Sequence, residues 1–120
     1  MLLRGSGERE GKSFNLPGVT GASDDAIGVD SEDIILALTD AVVDGEVVRI
    51  GETRAAAVAA MGAQATVDVI TVASGFNGIT RVANATGIPL DTNTEETTVE
   101  MRRDTGIDEF AEASKAVRFV

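Results

Sequence analysis

Apolar residues in this chain recur mostly at helical steps. Ile34, Ile35, Leu38, Ala41 and Val42 fall three and four residues apart, with Asp33, Thr39, Asp40 and Asp44 off that stripe. The spacing predicts an amphipathic helix of about four turns, opened by Asp30 or Ser31 and stopped by Gly45. Residues Glu46 to Ile50, EVVRI, leave two readings open: a turn of helix or an extended connector. From Glu52 or Thr53 an alanine-rich run predicts a second helix that ends at Met61, before Gly62. A third begins at Ala63 and is the longest nearly charge-free run in the chain. Val69, Ala73, Phe76, Ile79, Ala83 and Thr86 make its stripe, flanked by Val67, Ile70, Val72 and Val82. Its many β-branched residues would suit strands, but the helical period persists beyond Gly75 and favours a helix. Read as continuous and buried, it runs to Thr86 over roughly 36 Å, with Gly87 and Pro89 ending it.

Outside these stretches the pattern weakens. Residues 1–30 are broken by Gly5, Gly7, Gly11, Gly18, Gly21 and Gly28 and by Pro17, and are expected to form a flexible arm. Residues 31–120 are expected to form a single helical domain. Asp91 to Arg103, DTNTEETTVEMRR, is polar and Thr-rich and is expected to be a loop, with at most a short element at Thr97 to Met101. A last helix is expected from Ile107, with Phe110, Ala111, Ser114 and Val117 on one face and Lys115 and Arg118 near its end. The expected fold is all-α: a small bundle of about four helices around a long central one.

Composition narrows the chemistry. The 120 residues include four Phe but no Trp or Tyr, so the core must be aliphatic and alanine-rich. Twenty acidic residues against ten basic ones give a formal charge of −10, which repels phosphate backbones and anionic lipid. Nucleic acid and membrane partners are therefore not expected. Cysteine and histidine are absent, which removes thiol nucleophiles, imidazole acid–base chemistry and Cys or His metal ligands. No metal or cofactor is expected. The opening residues lack the apolar core of a signal peptide, and a cytoplasmic location is expected. Val19 to Gly28, VTGASDDAIG, shares Thr20 and Gly21 with a dinucleotide-binding turn. Asp25 and Ile27 replace its later glycines, and Asp24 and Asp25 would repel a pyrophosphate.

Three segments carry a resemblance: ALTDAVV (Ala37 to Val43), the alanine helix ending at Met61-Gly62, and FNxxxRxxNAxGIPLD. In the last, the matching residues are Phe76, Asn77, Arg81, Asn84, Ala85, Gly87, Ile88, Pro89, Leu90 and Asp91. Over residues 31–92 the chain resembles the carboxymuconolactone decarboxylase and alkylhydroperoxidase D-like superfamily, in its C-terminal half. The resemblance implies an all-helical fold whose subunits assemble through their helices, commonly as dimers, trimers or hexamers. It also implies a redox centre, a CxxC pair followed by His with an upstream Glu, which this chain lacks. Thiol peroxidase chemistry is therefore excluded for this chain, since no thiolate is available to attack a peroxide. The decarboxylase branch also leans on His.

The ligand or interface candidates are Phe76, Asn77, Arg81 and Asn84; no catalytic residue is assigned. Asn77 and Arg81, four residues apart, share a helix face, with Asn84 three beyond. They could hold a carboxylate, or Arg81 could simply pair with Asp68, Asp91 or a neighbouring subunit. The adjacent acids Asp24-Asp25, Glu32-Asp33 and Glu95-Glu96 suit a solvated surface rather than a metal site. The leading expectation is a non-catalytic subunit of a homo-oligomer, or of a complex with a partner chain. The alternatives are a small-molecule lyase, isomerase or hydrolase using Arg81 to hold an anionic substrate, and a small-ligand or partner-binding module.

Overall fold

The computed structural model describes residues 2–109, and the expected helical face at Phe110, Ala111, Ser114 and Val117 lies outside them. Among the described residues the fold is all-α, with seven α-helices, one 3-10 turn and no strand. The helices are α1 (Leu2–Glu10), α2 (Leu16–Val19), α3 (Glu32–Asp44), α4 (Val47–Met61), α5 (Ala63–Thr86), α6 (Thr92–Thr97) and α7 (Val99–Thr105), followed by the 3-10 turn Ile107–Glu109. They fall into two compact units, one spanning residues 30–85 and the other uniting the described parts of 1–29 and 86–120.

In the 30–85 unit, α3 and α4 pack against each other across a two-residue connection, Gly45 and Glu46. Leu38 and Ala41 of α3 and Ala57 of α4 are fully buried. Alanine at two of these three positions lets the helix backbones approach closely. Ser31 precedes α3 in the left-handed region (φ 59°) and makes no side-chain cap. Glu32 and Asp33 still lie in the first turn, where the helix dipole favours acids. Gly45 closes the helix at φ 76°. The ambiguous EVVRI stretch is helical from its second residue: α4 starts at Val47, five residues before Glu52, and Arg49 pairs with Asp44 at 3.1 Å across the turn.

The third helix is continuous over Ala63–Thr86, as its period predicts, but it is not buried. Thr66 alone among its residues is buried, and α3 and α4 pack on each other rather than along α5. The expectation fails because β-branched, charge-free sequence reports a face that avoids water, without saying which partner covers it.

In the other unit, α2 packs on α7. The Thr20 hydroxyl donates to the Thr105 carbonyl at 2.7 Å, joining residues 85 apart in sequence. The early glycines do not prevent helix. Gly7 lies inside α1, where an added Cβ would meet Phe14 Cε2 at 2.6 Å, so its small size admits the ring. Gly18 is packed as tightly: a Cβ there would lie 2.9 Å from the Asp25 carbonyl and 3.1 Å from Ile27 Cγ1.

Residues 91–103, expected to be a loop, instead form α6 and most of α7. Their signals are at the ends rather than in the stripe. Asp91 caps α6 by accepting from the Thr94 N–H at 2.8 Å and from its hydroxyl at 2.6 Å. Arg102 and Arg103 lie in the last turn of α7, where cations are favoured. Arg102 Nη2 also reaches the Glu95 carbonyl at 3.3 Å, and Nε lies 3.7 Å from Asp108, tying α6, α7 and the 3-10 turn together.

Candidate functional site

The four candidate residues sit on the second half of α5. Asn77 and Arg81 are brought together as their spacing predicts: Arg81 Nε donates to Asn77 Oδ1 at 3.1 Å. Asn77 is half-buried, and Arg81 and Asn84 are exposed. Among the described residues Arg81 forms no ion pair, so neither Asp68 nor Asp91 neutralises it. Asp68 instead accepts from Gln64 Nε2 at 2.9 Å. Asp91 is engaged with Thr94, whose hydrogen bonds hold its carboxyl below the usual carboxylate range. Phe76 lies about a quarter of a turn from Asn77 and about two-fifths of a turn from Arg81, on a different stripe.

That stripe is the most unusual feature of the helix. Val72, Phe76, Ile79 and Val82 are 59%, 56%, 69% and 60% exposed, at steps of four, three and three residues. Opposite charge is nearly absent too, because α5 carries only Asp68 and Arg81. The inward side of α5 is marked by buried Thr66 and half-buried Ile70, Ala73 and Asn77. Ala73, half-buried, lies at the inner edge of the stripe that the sequence pattern drew, and Phe76 and Ile79 lie on its exposed part. Scattered exposed apolar residues are ordinary on a protein surface, but a contiguous row along one helix is not.

The glycines sharpen the point. Gly75 and Gly78 each lower helix stability by about 1 kcal/mol relative to Ala. An added Cβ at either would meet nothing within 4 Å. No group among the described residues therefore explains their small size.

A concavity lies within the unit that unites the described parts of 1–29 and 86–120. It is a cleft of about 440 Å³ with Phe14, Leu16 and Met101 on its apolar side and Glu8, Lys12, Glu100 and Asp104 among its polar residues. The sequence pattern did not indicate it, because its walls come from segments about 85 residues apart. Arg81 is not among its lining residues, so the cleft does not supply the pocket that an Arg81-based enzyme would need. In VTGASDDAIG, Thr20 ends α2 and Ser23 Oγ accepts from the Asp25 N–H at 3.1 Å, forming a local turn. The next helix starts only at Glu32, so no helix N-terminus stands where a pyrophosphate would bind.

Among the described residues no helix is long and apolar enough to cross a membrane. No protein-family model, no curated protein and no solved structure matches this chain, and the family resemblance rests on the quoted residues alone.

Proposed function

We propose that this protein is a non-catalytic, carboxymuconolactone decarboxylase-like subunit of a protein assembly, working in the cytoplasm and associating through the outer face of α5. The observation that carries the reading is the exposed row Val72, Phe76, Ile79 and Val82 in a unit whose fully buried apolar side chains, among the described residues, are Leu38, Ala41 and Ala57. Half-exposed side chains of this size each gain about 1 kcal/mol when a partner covers them. Without a partner, that gain is forgone and the row favours non-specific association. The chain brings no Cys or His to a reaction, which fits a binding role.

Sedimentation velocity between about 1 and 100 μM tests the reading, with native mass spectrometry on protein recovered from its own cells. Association is expected, either as a homo-oligomer or with a second chain, and Phe76→Asp should abolish it while leaving the helical circular dichroism unchanged. A monomer across that range, with no companion in the native spectrum, would refute it.

A second reading is favoured by the exposed Arg81 held against Asn77: docking of a carboxylate, from a small ligand or a partner's acidic residue. Titration calorimetry with a small dicarboxylate distinguishes it, since heat lost in Arg81→Gln but kept in Phe76→Asp would point to ligand binding rather than assembly.

A further inference from the structure

The cleft of about 440 Å³ in the unit uniting the described parts of 1–29 and 86–120 has walls fixed by bonds to residues outside its lining. On one side, residues 13–17 are held through Asn15. Its N–H donates to the Ile27 carbonyl at 2.9 Å, and its side-chain amide donates to the Asp25 carbonyl at 3.0 Å. The Phe14 ring is seated where Gly7 lacks a side chain, since a Cβ there would meet Cε2 at 2.6 Å. On the other side, α7 is tied down by the Thr20 hydroxyl, which donates to the Thr105 carbonyl at 2.7 Å. Walls held in this way need little ordering when a ligand enters, which favours binding. The volume falls within the range of small-molecule sites, about 300 to 1,000 Å³.

The lining is short of donors and rich in acceptors. The Asn15 amide is already engaged, and the Thr105 hydroxyl donates to the Met101 carbonyl at 2.7 Å. Lys12 lies 3.5 Å from Glu10, which is outside the lining. The Ser13 hydroxyl can donate or accept. Against these stand the carboxylates of Glu8, Glu100 and Asp104, which only accept. Glu100 and Asp104 are four residues apart on α7 and share a face. Among the described residues Glu100 forms no ion pair, and the contacts of Asp104 with Arg103 both fall on Oδ1. Phe14, Leu16 and Met101 supply half-buried apolar surface to the same cleft. An aromatic face attracts a cation, and the flexible thioether of Met101 adapts to the body that carries it.

We propose that this cleft binds a small organic cation, a primary amine or guanidinium carried on an apolar body about the size of one ring. The body packs on Phe14, Leu16 and Met101, and the charged end meets Glu100 and Asp104. An anion would face these carboxylates on a chain of charge −10, and an uncharged ligand would gain nothing from their charge. The site lies in a different unit from the exposed row of α5 and does not depend on association through that row.

Amide NMR of the full chain tests the proposal with phenethylamine, phenethyl alcohol and hydrocinnamate, which share a phenyl body and differ in charge. The amine, protonated at neutral pH, should bind with a Kd on the order of 1 mM and shift amides on both walls, at residues 13–16 and 100–105. The alcohol should bind about fivefold more weakly, and Glu100→Gln should weaken the amine about threefold while leaving the alcohol unchanged. Because Glu100 is exposed, that variant should keep the rest of its amide spectrum. Equal binding of amine and alcohol would overturn the preference for a cation. Tighter binding of hydrocinnamate would assign the cleft to anions held by Lys12. Amides on both walls unmoved by the amine at about 20 mM would overturn the site itself.

Discussion

Glycine does opposite work in the two units. Gly7 and Gly18, in the unit built from both ends of the chain, are wedged against Phe14, Ile27 and the Asp25 carbonyl. Gly75 and Gly78, in the unit spanning residues 30–85, face open space on an exposed helix. In the first case the chain itself explains the missing side chain. In the second, helix propensity is given up with nothing among the described residues in return. The same contrast holds for the rest of each unit. The terminal unit is cross-stitched by polar bonds such as Thr20 to Thr105 and Arg102 to Glu95. The 30–85 unit relies on Leu38, Ala41 and Ala57 and leaves a row of large apolar side chains uncovered.

The largest effect is expected at Leu38. Truncation to Ala removes the one large, fully buried apolar side chain of the α3–α4 pair and should destabilise that unit by about 3 kcal/mol. Hydrogen exchange should show α3 and α4 losing protection most. Retained protection there would mean that α5 contributes more to this core than its exposure indicates.

Gly18→Ala comes next. Its Cβ would collide with a backbone carbonyl that cannot swing aside, so a loss of about 2 kcal/mol is expected in denaturant titration. Gly75→Ala should go the other way in dilute solution, stabilising the monomer by about 1 kcal/mol through helix propensity. At high concentration the same change should weaken self-association, and a variant stabilised at every concentration would remove the contrast between the two kinds of glycine.

The smallest effect concerns Asp91. Thr94 stabilises its ionised form, so its folded pKa lies below its unfolded value near 3.8. The capping contribution is therefore complete above about pH 3.8 and is lost as pH falls through the folded pKa. Amide exchange at Thr94, read by NMR between pH 6 and pH 2.5, should show this acid-dependent opening in the natural protein and none in Asp91→Ala.

Much of the helical content was legible from local rules. The bounds of α5 and its Gly87 stop, the Gly45 end of α3 and the Met61 end of α4 all followed from period and capping chemistry. So did the Asn77–Arg81 contact, because four residues on a helix always bring side chains together. The start of α4 was left open between helix and connector, and α6 and α7 fall where a loop with at most a short element was expected. Val47 and Val48 are exposed and carry no stripe, and α6–α7 are Thr-rich segments held by an N-cap and by the bridge from Arg102. The cleft was invisible for another reason: Phe14 and Met101 meet only when the chain ends fold together.

Taken alone, the sequence determined that this protein is helical, acidic, without cysteine or histidine, and where its longest helix starts and stops. Those properties depend on composition and on interactions within a few residues. Only the tertiary structure decided which side of that helix is covered. The 3.6-residue period marks an apolar face, but burial depends on whether another surface of the chain reaches it. Among the described residues one reaches Thr66, and none covers Val72, Phe76 and Ile79.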